Sequence, residues 1–107
     1  DLIADIVLDL NFSICLDVGH LLHHGYDVAD AFNRYFSKIS VIHLHGVENN
    51  QDHASLDRLS EERFHPIMEI LKRFAGVVSL EVFSFDALNA SLQYLEQCWK
   101  NFNSTES

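Results

Sequence analysis

Asp17, His43 and Glu81 each lie at or near the end of a short apolar run, and His20, His45 and His53 lie close to them in the chain. An ionisable group inside a run such as Val78-Ser-Leu-Glu-Val-Phe83 is costly to bury unless it is paired or bound to a metal. Imidazole and carboxylate together suit a borderline divalent cation such as zinc, manganese or iron. Neither cysteine, Cys15 or Cys98, is read as joining the set, so the pattern points to an open catalytic site rather than a closed structural zinc. The segment Gln51-Asp52-His53 adds His53 as a further ligand. It also adds Asp52 as a ligand, a substrate contact or a partner that orients an imidazole. His45 is a candidate for substrate contact. A lone strand histidine is more often a hydrogen-bonded core residue; several such groups at equivalent strand ends are not explained that way.

The elements that must position these groups can be read from periodicity. Residues 1–10 place Leu2, Ile3, Ile6, Val7 and Leu10 on one helical face, and 12–18 read as a buried strand broken by Gly19. His23 and His24 follow on a loop, read as solvated but within reach of a ligand. Tyr26 and Asp27 shape the turn into a second helix bearing Val28, Ala31, Phe32, Tyr35 and Phe36, and Tyr26 is a further candidate substrate contact. A second strand covers 40–47, and a polar loop covers 48–59. Ser60 caps a helix carrying Phe64, Ile67, Met68, Leu71 and Phe74, with Glu61 and Glu62 in its first turn, Pro66 where proline costs least and His65 at the surface. Gly76 ends it. A third strand covers 77–83, and a last helix runs from about Asp86 to Phe102.

Strands that alternate with helices imply a parallel sheet, whose active sites gather at the C-terminal strand ends. Parity places His43 and His45 on one face, Asp17 with Cys15 and Ser13, and Glu81 with Ser79 and Phe83. Each strand then has one small or polar face and one apolar face. Three strands are too few to close a barrel, which takes eight. Residues 1–107 read as one piece of one domain, and the opening at Asp1 without a methionine reads as a fragment.

Composition narrows the class. The chain has 107 residues, 48% hydrophobic and 21% charged, and reads as globular. Its net charge of -9 argues against a protein that grips nucleic-acid backbone through a broad basic surface. No run approaches a membrane span or a signal peptide, and two scattered thiols fit a reduced, cytoplasmic setting.

The motifs Cys15-Leu-Asp-Val-Gly-His20, Gly25-Tyr26-Asp27, Ile42-His43-Leu44, His53-Ala-Ser-Leu56 and Ser79-Leu80-Glu81 resemble, in order, endonuclease IV and the wider xylose isomerase-like barrel superfamily. Within it the likeness is nearest to the cobamide-remodelling phosphodiesterases, through Val41-Ile-His-Leu-His-Gly-Val47 and Gly76-Val-Val-Ser-Leu-Glu-Val-Phe83 among others. The resemblance implies an α/β fold that is part of a (β/α) TIM barrel. Three parallel strands would alternate with four helices as the C-terminal portion of a single domain. It implies Asp17, His20, His43, His53 and Glu81 as metal ligands. Gln51 stands where endonuclease IV carries an aspartate, with Asp52 beside it, and His45-Gly46 stands where it carries Asn-Asp, which weighs against DNA repair.

The resulting expectation is a metal-dependent phosphodiesterase that opens the nucleotide loop of a cobamide, with Glu81 and His45 as catalytic groups and a divalent zinc, manganese or iron ion as cofactor. The alternatives are a sugar-phosphate isomerase or epimerase, whose substrate is a phosphorylated sugar rather than a corrinoid, and an inactive fragment that self-associates through open sheet edges. Catalysis is expected of the full-length parent rather than of the piece alone.

Overall fold

The computed structural model of the chain describes residues 13–106; the helix expected over 1–10 lies outside them. Three strands, β1 (Ile14–Asp17), β2 (Ile39–Leu44) and β5 (Val77–Leu80), form a parallel sheet in the order β1-β2-β5. Between β2 and β5 lies a separate antiparallel hairpin, β3 (Gly46–Glu48) and β4 (Gln51–Ala54). The helices are α1 (Val18–His23), α2 (Val28–Tyr35), α3 (Glu61–Arg73) and α4 (Phe85–Glu106). The fold is the α/β arrangement of a partial (β/α) barrel, with parallel neighbours linked by helical crossovers.

The register sets the chemistry. Asp17 pairs with His43 across β1 and β2, and His43 with Ser79 across β2 and β5. Alternation then separates two faces. Leu16, Ile42 and Leu44 are buried on one, with Leu80 packed against them. Cys15, Asp17, Val41, His43, Val77 and Ser79 share the other, where none is fully buried. The buried face meets Phe32 of α2 and Phe64, Ile67, Met68 and Ile70 of α3 in one core.

Local chemistry explains the helix starts. The side chains of Asp17, Asp27 and Ser60 accept the backbone N–H three residues on, at 2.9, 3.0 and 3.2 Å, capping α1, α2 and α3. Ser84 does the same for α4 through Ala87 N at 3.0 Å. Glu61 and Glu62 open α3 and Lys72 and Arg73 close it, as the helix dipole favours. Pro66 sits beyond the first turn, and α3 runs on through it, held by its buried face.

Four expectations about elements are corrected. The strand expected over 12–18 and ended by Gly19 stops at Asp17, and Gly19 lies buried inside α1. The strand expected over 40–47 ends at Leu44, and the one over 77–83 ends at Leu80. The segment expected as a polar loop holds the β3–β4 hairpin, whose two turn residues, Asn49 and Asn50, have φ of 52° and 62°. Two successive positive φ values are the type I′ pattern that matches strand twist, and asparagine tolerates them. A 3-10 turn (Leu56–Arg58) follows, with Leu56 and Leu59 buried. Among the described residues, no helix is long and apolar enough to cross a membrane.

Candidate metal centre

Asp17 is the last residue of β1, His43 the penultimate residue of β2, and Glu81 the first residue past β5. The ladder nonetheless continues to Glu81, whose N–H donates to Leu44 O at 2.9 Å. Three adjacent strands therefore bring three side chains to one rim. One ligand atom from each of Asp17, His43 and Glu81 lies within 4.8 Å of the other two.

Electrostatics at this rim favour a cation. Two half-buried carboxylates face one another, and His43 Nδ1 touches Glu81 Oε1. That contact lacks hydrogen-bond geometry, so Oε1 is buried without a hydrogen-bond partner among the described residues. Cys15, on the same face, senses the field: burial raises its thiol pKa, and the charges of Asp17 and Glu81 raise it further. Mixed imidazole and carboxylate donors, one carboxylate oxygen among them without a hydrogen bond, fit a divalent zinc, manganese or iron ion held by Asp17, His43 and Glu81.

His45 lies elsewhere than the rim's open face. Because β2 ends at Leu44, strand parity no longer governs it, and its ring turns inward to 1% exposure. Its Nδ1 accepts the backbone N–H of His53 at 2.9 Å, which fixes the proton on Nε2. Nε2 then donates to Asp17 Oδ1 at 3.0 Å. The 3.3 Å approach of Nδ1 to Gly46 O is accordingly a contact without a shared proton. The ring lies against Gly19, where any Cβ would overlap it. Gly46 is likewise fixed, because a Cβ there would strike the Ser55 carbonyl.

His53 sits at the hairpin's end with φ of 58°, a strained backbone for a non-glycine residue. Its Nδ1 bonds Asp52 Oδ1 at 2.9 Å, and its Nε2 is 3.9 Å from Glu81 Oε2. The hydrogen bond from His53 holds the Asp52 carboxyl below its usual range. The hairpin is held in place from behind: Ser91 of α4, fully buried, accepts from Leu56 N at 3.0 Å, and Tyr94 donates to Leu59 O at 2.6 Å.

The structure does not bring the remaining candidates, His20 among them, into the set formed by Asp17, His43 and Glu81. His20 is on α1, with its N–H on Asp17 Oδ1 and its exposed ring 4.3 Å from that of His24. Tyr26 is 65% exposed in the turn between α1 and α2. His23 belongs to α1 and is half-buried, facing the hairpin across a cleft. Ser91 and Tyr94 escaped the reading of the sequence, since each is one polar residue on an otherwise regular helical stripe. The hairpin did carry a signal, the Asn49-Asn50 pair between short runs.

Comparison with curated proteins gave no match, and neither did comparison with solved structures. The family model described as xylose isomerase-like TIM barrel matches residues 1–98, nearly the whole chain, and covers every strand and every metal candidate. The chain therefore belongs to the xylose isomerase-like TIM barrel family.

Proposed function

We propose that the protein serves a metal-dependent phosphodiesterase acting on the nucleotide loop of a cobamide, with residues 1–107 forming the C-terminal portion of one barrel domain. The observation that carries the metal-dependent part is the convergence of Asp17, His43 and Glu81 within 4.8 Å at the strand ends. The choice of substrate rests on the ordered motifs from Cys15 to Phe83 and their resemblance to cobamide-remodelling enzymes.

Asp17, His43 and Glu81 would hold the cation, with His20 and His53 as additional ligands by the same resemblance. When bound, a divalent cation supplies Lewis-acid polarisation of phosphoryl oxygens. Glu81 orients the attacking water and takes its proton as the water oxygen bonds to phosphorus. The bond from phosphorus to the leaving oxygen breaks, and that oxygen is protonated from solvent. His45, hydrogen-bonded to Asp17, fixes that carboxylate's orientation, and Asp52 does the same for His53.

A second reading, a sugar-phosphate isomerase or epimerase, is favoured by the two facing carboxylates, Asp17 and Glu81, which suit proton shuttling. The deciding experiment incubates the full-length protein with a cobamide, an abasic-site duplex and a panel of ketoses, each with zinc, manganese, iron or a chelator. Metal-dependent opening of the cobamide nucleotide loop is expected. Turnover of ketoses alone would replace the phosphodiesterase reading with the second. Size-exclusion chromatography with metal analysis tests whether β1 and β5, the sheet's edges among the described residues, pair with another copy.

A further inference from the structure

Asp17 Oδ1 accepts twice, from the His20 N–H at 2.9 Å and from His45 Nε2 at 3.0 Å. A carboxylate oxygen has two lone pairs, so Oδ1 is filled and Oδ2 is left to face a cation. The first donor is backbone and comes with the start of α1. The second belongs to a buried ring whose other nitrogen is committed to the hairpin, through the His53 N–H at 2.9 Å. One imidazole thus stands between the rim and the hairpin, with a hydrogen bond on each side.

The hairpin's end needs such a tie. His53 holds φ of 58°, which a non-glycine residue keeps only where its surroundings impose it. His45 supplies much of that restraint. It accepts the His53 N–H, and its ring lies 4.2 Å from the His53 ring at 13°. His45 is in turn seated on Gly19, where a side chain would fill the ring's place. A ring enclosed in this way cannot turn at one nitrogen without moving at the other. The Asp17 side chain is 37% exposed and lies beside a second carboxylate, so a cation is the partner that would fix it.

We propose that His45 couples the hairpin to the metal centre: a cation on Asp17 Oδ2 and the docked state of the β3–β4 hairpin favour each other through this ring. His45 is a positioning residue, acting through Asp17 on one side and the His53 backbone on the other. Fixing Asp17 removes freedom that docking of the hairpin must otherwise remove, so each event lowers the cost of the other. The linkage is reciprocal. Loosening the hairpin weakens metal binding by the factor by which the metal steadies the hairpin. The inference rests on the reading of Asp17 as a metal ligand and not on any substrate. It does not depend on the His53 ring, because the link runs through that residue's N–H.

The test is hydrogen exchange of the full-length protein, read by mass spectrometry over the hairpin (46–54), with and without saturating zinc. Zinc should slow exchange there about 5-fold or more in the parent. The same slowing is expected in His53→Ala, which keeps the N–H and lacks the ring. In His45→Asn the amide oxygen can still accept from the His53 N–H, but the side chain is too short to reach Asp17. Zinc should leave exchange of that variant unchanged. Isothermal titration with zinc reads the linkage in the other direction. Asn50→Ala disfavours the positive φ of the turn and should weaken zinc binding about 5-fold or more in the parent, but not in the His45→Asn background. Equal slowing in His45→Asn overturns the proposal. If that variant does not fold, the Asn50→Ala titration in the parent decides, and unchanged zinc affinity overturns it. Zinc that binds without slowing the hairpin removes the coupling alone. Failure of zinc to bind removes the metal centre and the coupling together.

Discussion

His45 Nε2 donates to Asp17 Oδ1 across 3.0 Å from a site 28 residues further along the chain, and the donating ring is itself buried. The proton's position follows from the His53 N–H that occupies Nδ1. A carboxylate proposed as a metal ligand and fixed in this way would lose less freedom on binding, and such supporting contacts contribute roughly 10–100-fold to metal affinity. His45→Gln should therefore weaken zinc or manganese binding by about that factor while Asp17, His43 and Glu81 remain. Isothermal titration with the apoprotein measures it, and unchanged affinity would mean that Asp17 needs no support from His45.

Removing a ligand should cost more than removing its support. His43→Ala or Glu81→Gln should lower metal affinity by more than about 100-fold and abolish metal-dependent turnover. Isothermal titration of each variant measures the loss of affinity and a turnover assay the loss of activity; an affinity unchanged from the parent's would remove that residue from the ligand set.

The alternation of strands and helices was legible because three apolar runs are short and bounded, and parity within each strand gave Asp17 and His43 a polar face; that they share one face of the sheet comes from the pairing of β1 with β2. His45 was not legible. Parity places it beside His43 only if the strand continues, and β2 stops one residue earlier. Gly19 was misread for a related reason. Glycine normally weakens a helix, but here the His45 ring occupies the space a side chain would take. The positions of Ser91 and Tyr94 depend on partners 35 residues away, which no local pattern encodes.

Gly19→Ala tests that packing because two effects oppose each other. In a helix interior, alanine is favoured over glycine by about 1 kcal/mol. A Cβ at Gly19, however, would overlap all the near atoms of the His45 ring, and overpacking of this kind costs about 1–3 kcal/mol. The ring cannot retreat without losing its bonds to Asp17 and His53, so packing should win. The melting temperature should fall by several degrees, on a scale of roughly 4–8 °C per kcal/mol, and metal affinity should fall with it. A stabilised Gly19→Ala protein with intact metal binding would show that the ring has room to move.

Tyr94 gives a pH-dependent test of how the hairpin segment is held to α4. Burial raises its phenol to about 12, with smaller contributions from Cys98 and the nearby acidic groups. In the unfolded chain, tyrosine ionises near 10. Between these values the unfolded state releases the proton first, so stability should fall as pH rises. The contribution is complete below about pH 10, declines through the interval and is lost above about 12. Tyr94→Phe keeps the ring packing against Phe64 but removes the donor to Leu59 O, at a cost of about 1 kcal/mol or more. Urea unfolding of both proteins from pH 8 upward should show the difference between them shrinking across this window. A constant difference would mean that the Tyr94 hydroxyl titrates as it does in solvent and does not hold Leu59, leaving Ser91 as the tie between α4 and the segment carrying His53.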